Sequence, residues 1–597
     1  MISTGKLVAL SRVAAAAVAA AALLFLAAVP ATADKPPPPP TAPVADTDGD
    51  KIFDDLESLI SPAAADKAFP AIVLLNEPVD AGSLGALHRR VGFFDVSSQY
   101  SAINGFAASL TKGQIVALSR MGQVAQIEAD RPVEVFLDTS TYWYGVQKGR
   151  TDFGVDGNAD GQPTYSTSDM VIAVLDTGID AAHVDLNGGK VVAWADFHTV
   201  GSGDPVCGSP CDPHGHGTHV SSIVAGEGEG NALYEGVAPG AALVGVRVLN
   251  KGGSGSFSGI IAGLQWVIDN KDTYGIRIIN MSLGSSGCSN GTDSLSQMVN
   301  NVVAAGIVAV VSAGNSGPAA CTVASPAAAE NAITVAAMAD VGETGFNLAY
   351  FSSRGPTYDG RIKPDIAAPG RYIMAALRGS ANGYTSMSGT SMSSPFVAGV
   401  AALMLDADPT LTPSQVKSTL MNTAVDWGPA GKDTDYGAGR LDAYEAIRTA
   451  AGGTGTNIDV PNHQTVSDEL SAAGQTGDSD SYIIAVTDAT KPIAITLVMS
   501  TWSSGGNVDF DMELRDKDGV QVSLSQTAKR QETIGISAPS NGPYTFKVYA
   551  YSGSSGGPYF FDISVGGAID SDGDGVPDYQ DNCPTVSNPA QTNTDGD

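Results

Sequence analysis

Between about residues 145 and 450 the chain repeats one pattern: a continuous apolar run, then a helical pattern, then another apolar run. The runs are "MVIAVLD", "AALVGVRVL", "IRIINMSLG", "GIVAVVSAG" and "AITVAAM"; between them lie "GTHVSSIVAG", "SGIIAGLQWVIDN" and "LSQMVNNVVAAG". Strands apolar on both faces and separated by helices can only be buried in a parallel sheet covered on each side. The pattern predicts an α/β fold with a doubly wound parallel sheet and helices on both faces. In such sheets functional groups gather at the carboxyl ends of the strands.

The flanks read differently. Lys6 and Arg12, the 17 apolar residues Val13 to Val29 and "ATA" at Ala31 to Ala33 predict a secretory signal peptide over 1–33. A proline-rich spacer with an acidic segment follows over 34–67, then a small α+β body over 68–140. The parallel-sheet body is assigned 141–452. Over 457–567 short runs of period two with Gly, Asn and Ser turns predict an antiparallel β-sandwich, and an acidic repeat fills 568–597.

Formal net charge is −31, which argues against a nucleic-acid partner or an anionic membrane surface, since either needs a basic face. Beyond the signal no segment is apolar enough to span a bilayer. The expected localisation is secreted or extracellular, with cell-surface association open. Export permits disulfides, and Cys207 with Cys211 and Cys288 with Cys321 are the preferred pairs, leaving Cys583 over.

Three fragments carry chemistry together. "VLDTGID" puts Asp176 at the end of an apolar run, "HGHGTHVSSIVAG" puts His216 at a helix start, and "GTSMSSP" puts Ser391 at the head of another helix. Singly, an Asp after a strand is ordinarily a turn residue, and a Ser before a helix is ordinarily a cap. The histidines lack the glutamate of a zinc helix motif. Read jointly, Asp, His and Ser in that order match one of the orders convergent hydrolases use for a single triad geometry.

With their flanks these fragments resemble the subtilisin-like serine proteases, the subtilase family, over about half the chain. The resemblance implies a serine endopeptidase with Asp176, His216 and Ser391 as triad. It implies Asn315 of "SAGNSG" as an oxyanion donor. Gly253, Ser254 and Gly255, with Ser282, Leu283 and Gly284, match the segments that bracket an extended peptide, while Ser312, Ala313 and Gly314, with Ala324 near the wall, match the S1 floor. No charged residue is evident there, which favours medium to large apolar P1 side chains. Ser393 stands where the family usually has Ala, a small-for-small change expected to be silent. Pro395 is expected in the first helical turn, where its missing N–H costs little.

"INGFAASL" and its surroundings resemble the family's propeptide, an inhibitor and folding chaperone. The resemblance implies that Ser391 cuts its own chain between Leu137 and Gly149. The sandwich resembles the bacterial pre-peptidase C-terminal domain. "DSDGDGVPDYQDNCPTVSNPAQTNTDGD" resembles a thrombospondin type 3 repeat and suits structural calcium. Asp570, Asp572, Asp574, Asp578 and Asp581 are the expected ligands, with Asp46, Asp48, Asp50 and Asp54 as a second loop. "DGNADG", Asp156 to Gly161, is a third candidate, for which a surface turn is the plainer reading. Expected partners are protein or peptide substrates and the chain's own propeptide, on a monomer. The competing reading is a calcium-stiffened adhesion or peptide-binding protein with a poorly active protease-like domain.

Overall fold

The computed structural model describes residues 49–53, 56–57, 60–61, 67–100, 104–129, 139–198, 204–471, 478–537, 539–551, 554–570 and 576–577. The leader, most of the two acidic segments and Cys583 lie outside these residues. The chain divides into two units, Met1–Arg131 and Pro132–Asp597.

The first unit is a four-stranded antiparallel sheet of β1 (Ala68–Leu75), β2 (Val96–Tyr100), β3 (Gly105–Thr111) and β4 (Val124–Ala129), in the order β2-β3-β1-β4. Helices α1 (Ala81–Val91) and α2 (Lys112–Ser119) cover it. Each helix begins with a capping box, Asp80 with Ser83 and Thr111 with Gln114, which satisfies N-terminal donors that would otherwise lack partners. The body starts earlier than residue 68. Ile52 bridges to Ile127, and Ile52, Leu56 and Ile60 are buried in the core with Val73 and Leu110. Their apolar spacing is masked in the sequence by the acidic residues around them.

The second unit holds a seven-stranded parallel sheet: β5 (Val171–Asp176), β6 (Val191–Asp196), β7 (Ala242–Arg247), β8 (Ile276–Met281), β9 (Val308–Ser312), β10 (Ile333–Met338) and β11 (Ile366–Pro369). Its order is β11-β10-β9-β8-β5-β7-β6. Residues of β5 alternate between two apolar clusters, Ile172 and Val174 on one face and Val171, Ala173 and Leu175 on the other. Two buried faces are why these runs read as continuously apolar. Helices α3 (Ser140–Trp143) and α4 (Val146–Phe153) open this unit; Ser140, the last residue of the span assigned to the small body, is its first helical residue, and Tyr144 and Val146 are buried in the main core. Helices α5 (His216–Ala225), α6 (Phe257–Tyr274), α7 (Ser294–Ala304) and α8 (Thr390–Ala407) follow in order.

The last part is a sandwich of β14 (Asn462–Leu470), β15 (Ser479–Val486), β16 (Ile493–Met499), β17 (Phe510–Arg515), β18 (Gln521–Ser525), β19 (Gln531–Ile536), β20 (Gly542–Ala550), β21 (Gly557–Val565) and β22 (Gly567–Ile569), following β12 (Ile373–Ala376) and β13 (Tyr384–Met387). Its sheets run β14-β21-β16-β19 and β18-β17-β20-β15-β22, every pair antiparallel. It is docked on the parallel-sheet body through buried polar groups. Arg530 grips Asp435 through Nη1 at 2.5 Å and Nη2 at 3.0 Å, and Arg354 Nη1 reaches the same carboxylate at 3.2 Å. Gln531 accepts from Arg354 at 2.6 Å and donates to the Leu348 carbonyl at 2.7 Å. His463 stacks on Trp427 with ring centroids 3.9 Å apart.

Candidate active site

Asp176 ends β5, His216 begins α5, Asn315 follows β9, and Ser391 is the second residue of α8. The segments Gly253 to Gly255 and Ser282 to Gly284 follow β7 and β8, the two neighbours of β5 in the sheet. All therefore sit at the carboxyl edge of one sheet.

Asp176 is fully buried, and its Oδ1 accepts from Thr177 N at 2.7 Å and lies 2.8 Å from His216 Nδ1. A carboxylate only accepts, so Nδ1 carries the proton and Nε2 is left as the acceptor. Burial pulls the imidazole's pKa down, but the charge and hydrogen bond of Asp176, and behind them the charge of Asp212, outweigh it and hold His216 above its ordinary value. The turn after Asp176 needs glycine. Gly178 has φ +125°, and a Cβ there would stand 1.9 Å from the Cys211 carbonyl oxygen. Cys207–Cys211 and Cys288–Cys321 are both disulfides.

Asp212 escaped sequence reasoning. Its Oδ1 accepts from Thr177 Oγ1 at 2.9 Å, His214 N at 3.0 Å and Gly215 N at 2.8 Å, and its Oδ2 accepts from Thr218 N at 2.9 Å and Thr218 Oγ1 at 2.7 Å. Thr177 Oγ1 in turn accepts from Gly217 N at 2.9 Å. One carboxylate thus ties the loop after Asp176 to the residues on both sides of His216. The only signal was an Asp four residues before that histidine.

At α8 the helix cap is Gly389, so Ser391 is no cap, and Pro395 is the sixth helical residue, outside the first turn. Proline there removes the bond that Ser391 O would accept from four residues on. The freed Ser391 carbonyl accepts from Ser282 Oγ at 2.8 Å, and Ser282 Oγ is held by Asn280 Nδ2 at 3.0 Å. Ser282 is thereby locked to the helix that carries Ser391. Ser391 Oγ is turned to the Ser282 carbonyl, 3.4 Å away, rather than hydrogen-bonded to His216. Ser393 is fully buried and its hydroxyl has no hydrogen-bond partner among the described residues, so the change from Ala carries a desolvation cost the sequence did not reveal.

Asn315 Oδ1 accepts from Thr390 N at 2.9 Å and Thr390 Oγ1 at 3.0 Å. A backbone N–H can only donate, which assigns the oxygen to that side and points Nδ2 the other way. Gly314 N donates to Thr390 Oγ1 at 3.1 Å, so the loop after β9 is fixed to α8 at two points. Gly253, Ser254 and Gly255 are exposed, as is Gly284, while Ser282, Leu283, Ser312, Ala313 and Ala324 are buried. A charge does stand near the Ala324 wall: Ser325 Oγ donates to Asp293 Oδ1 at 2.7 Å. A cavity of about 420 Å³ beside it is lined by Phe257, Ser285, Asp293, Ser325 and Tyr358. Burial raises the Asp293 carboxyl, but bonds from Ser325, Ser296 and Ser289 outweigh that and hold it below the usual range.

Of the expected calcium ligands, Asp46, Asp48, Asp54, Asp572, Asp574, Asp578 and Asp581 lie outside the described residues. Asp50 Oδ1 accepts from Ile52 N at 2.7 Å, and Asp570 is buried at the end of the sandwich. Among the described residues no three His, Cys, Asp or Glu side chains converge closely enough to hold a metal ion, and no helix is long and apolar enough to cross a membrane.

Residues 167–439 match the family model described as Subtilase family, and 86–136 match Peptidase inhibitor I9. Residues 478–550 match Bacterial pre-peptidase C-terminal domain and 569–591 match Thrombospondin type 3 repeat. Serine protease AprX of Bacillus subtilis (strain 168) is 38% identical over 59% of this chain and 81% of its own length. Subtilisin DY of Bacillus licheniformis is 38% identical over 48% of this chain and 93% of its own. Alkaline serine exoprotease A of Vibrio alginolyticus is 31% identical over 76% and 80%.

Proposed function

The chain belongs to the subtilase family of serine endopeptidases, and from that premise we propose that it is a secreted, self-processing zymogen working through an acyl-enzyme on Ser391. The observation that carries the reading is the 2.8 Å bond between Asp176 and His216 Nδ1, which leaves Nε2 free to take a proton.

His216 Nε2 takes the Ser391 proton as Oγ attacks the substrate carbonyl carbon. The oxyanion receives hydrogen bonds from the Ser391 backbone N–H and Asn315 Nδ2, and Asp176 stabilises the imidazolium. His216 passes the proton to the departing amine. Water then enters, gives its proton to His216 and attacks the ester carbon, and Ser391 Oγ leaves with that proton. The peptide lies extended between Gly253 to Gly255 and Ser282 to Gly284, pairing mainly through its backbone, with Ser312 to Gly314 flooring the S1 pocket.

The match of residues 86–136 to an inhibitor family supports a propeptide that occupies the site until it is cut. Tyr144 and Val146 are core residues of the second unit, and Thr139 and Ser140 are bonded to Asp340, which supports a cut before Thr139. Calcium on the two acidic segments is part of this proposal, their alternating carboxylates being hard oxygen donors.

Intact mass of the wild type and of Ser391→Ala, each folded with calcium, tests the reading. Loss of the region before Thr139 in the wild type alone supports it. Retention by both removes Ser391 as the self-processing nucleophile, whereas equal trimming of both marks a contaminating protease as the cutter.

A further inference from the structure

At the amino-terminal edge of the sheet, away from Asp176, the loop between α4 and β5 carries Asp156-Gly-Asn158-Ala-Asp160-Gly. It forms one wall of a cavity of about 280 Å³ whose lining includes Asp156, Asn158, Tyr165, Asp169, Glu227 and Glu235. Among the described residues, three oxygens there are buried without a hydrogen-bond partner: Asn158 Oδ1, Asp169 Oδ1 and Glu227 Oε1. Asp169 is only 4% exposed, and its other oxygen is taken by Ser166 N at 2.7 Å.

The charges do not balance. Arg150 is engaged by Glu235 at 2.8 Å. Lys190, fully buried, donates to the Pro239 carbonyl at 2.6 Å and lies 3.9 Å from the centre of the Tyr165 ring; its nearest carboxylate, Glu227, is 3.8 Å away. Among the described residues no cationic side chain pairs with Asp156, Asp160 or Asp169. A buried carboxylate oxygen and a buried amide oxygen left bare at the same cavity are costly unless a cation meets them.

We propose that this cavity is a calcium site built from mixed oxygen donors: the Asp169 carboxylate, the Asn158 amide oxygen and a carboxylate of the Asp156-to-Asp160 loop. Two carboxylates with an amide oxygen and water suit a hard cation that takes six to eight oxygens. The set contains fewer than three converging acids, which is why a carboxylate count alone passes over it. The ion joins the Asp156-to-Asp160 loop to Asp169, two residues before β5, and so fastens the start of the central strand.

The test uses the full chain carrying Ser391→Ala, stripped with a chelator and dialysed against calcium. Asn158→Ala and Asp169→Asn are each expected to bind one ion fewer per chain than the parent. Their far-ultraviolet circular dichroism without calcium should match the parent, and their calcium-induced rise in unfolding temperature should be smaller. With terbium as the probe, Tyr165→Phe should keep the stoichiometry while losing part of the tyrosine-sensitised emission. Unchanged stoichiometry in both Asn158→Ala and Asp169→Asn, or unchanged terbium emission in Tyr165→Phe, would overturn the assignment.

Discussion

Replacing Asp212 by Asn changes one atom and removes a charge at the point where the segments bearing Asp176 and His216 are joined. The carboxylate accepts five hydrogen bonds, three at Oδ1 and two at Oδ2. If the amide oxygen stays on the three-donor side, the new NH2 faces Thr218 N–H, which it cannot pair, and Thr218 Oγ1, which can turn and accept. One charge-assisted bond is lost outright, and such bonds contribute about 1.5–3 kcal/mol. The strain falls on Gly215 and Thr218, one and two residues from His216. A displacement of about 1 Å in a catalytic group can cost about 100-fold in rate, so kcat/KM is expected to fall by about 10- to 100-fold, chiefly in kcat. The lost charge adds a signature that misfolding does not. Asp212 helps hold His216 above its ordinary pKa, so its removal lowers that pKa. The basic imidazole then persists to lower pH, and the acid limb of the kcat/KM profile moves down. The assay is kcat/KM against pH on the purified mature enzyme with a peptide amide. A fall in activity with an unmoved acid limb, or no change in either, would refute the reasoning.

Asn315→Ala should lower kcat by about 100- to 1000-fold with KM nearly constant, read from steady-state kinetics, because the donor acts on the oxyanion and not on the ground-state carbonyl. Asp435→Asn leaves Arg354 and Arg530 buried without a countercharge and should cost about 3–5 kcal/mol, measured by denaturant unfolding in the Ser391→Ala background; a loss below about 1 kcal/mol would mean that the docked sandwich is not held by this pair. Burial, with the nearby Asp340 charge and against Arg371, pushes the Glu343 carboxyl up to about 10. The folded chain therefore binds a proton that the unfolded chain releases near its ordinary value, and stability declines as pH rises from about 4.5 toward 10. Glu343→Gln should flatten that decline in unfolding midpoints taken across the window.

The parallel sheet, and the candidate groups Asp176, His216, Asn315 and Ser391 that the proposed mechanism uses, were legible because each rests on local information. A strand buried on both faces must be apolar at every position, and a chemistry that needs a particular side chain beside a glycine turn or a helix start leaves that side chain in a short string. The sandwich was legible from its period of two for the same reason. What the string could not carry was pairing between distant residues. Asp212 looks like any loop aspartate until five donors from three segments converge on it. Pro395 reads as a helix-start residue until the cap is seen at Gly389 and its missing N–H is matched to the Ser282 hydroxyl. Ile52, Leu56 and Ile60 are hidden among acidic residues and become core only when the sheet closes over them. The docking of the sandwich through Asp435, Arg354 and Arg530 is likewise a property of packing. Backbone periodicity and side-chain type are written residue by residue, so the sequence by itself determined the layers and the candidate reacting groups. Hydrogen-bond partners and desolvation depend on what the folded chain brings near, so only the tertiary structure decided which carboxylates position, which pair across bodies, and which are left facing an empty charge.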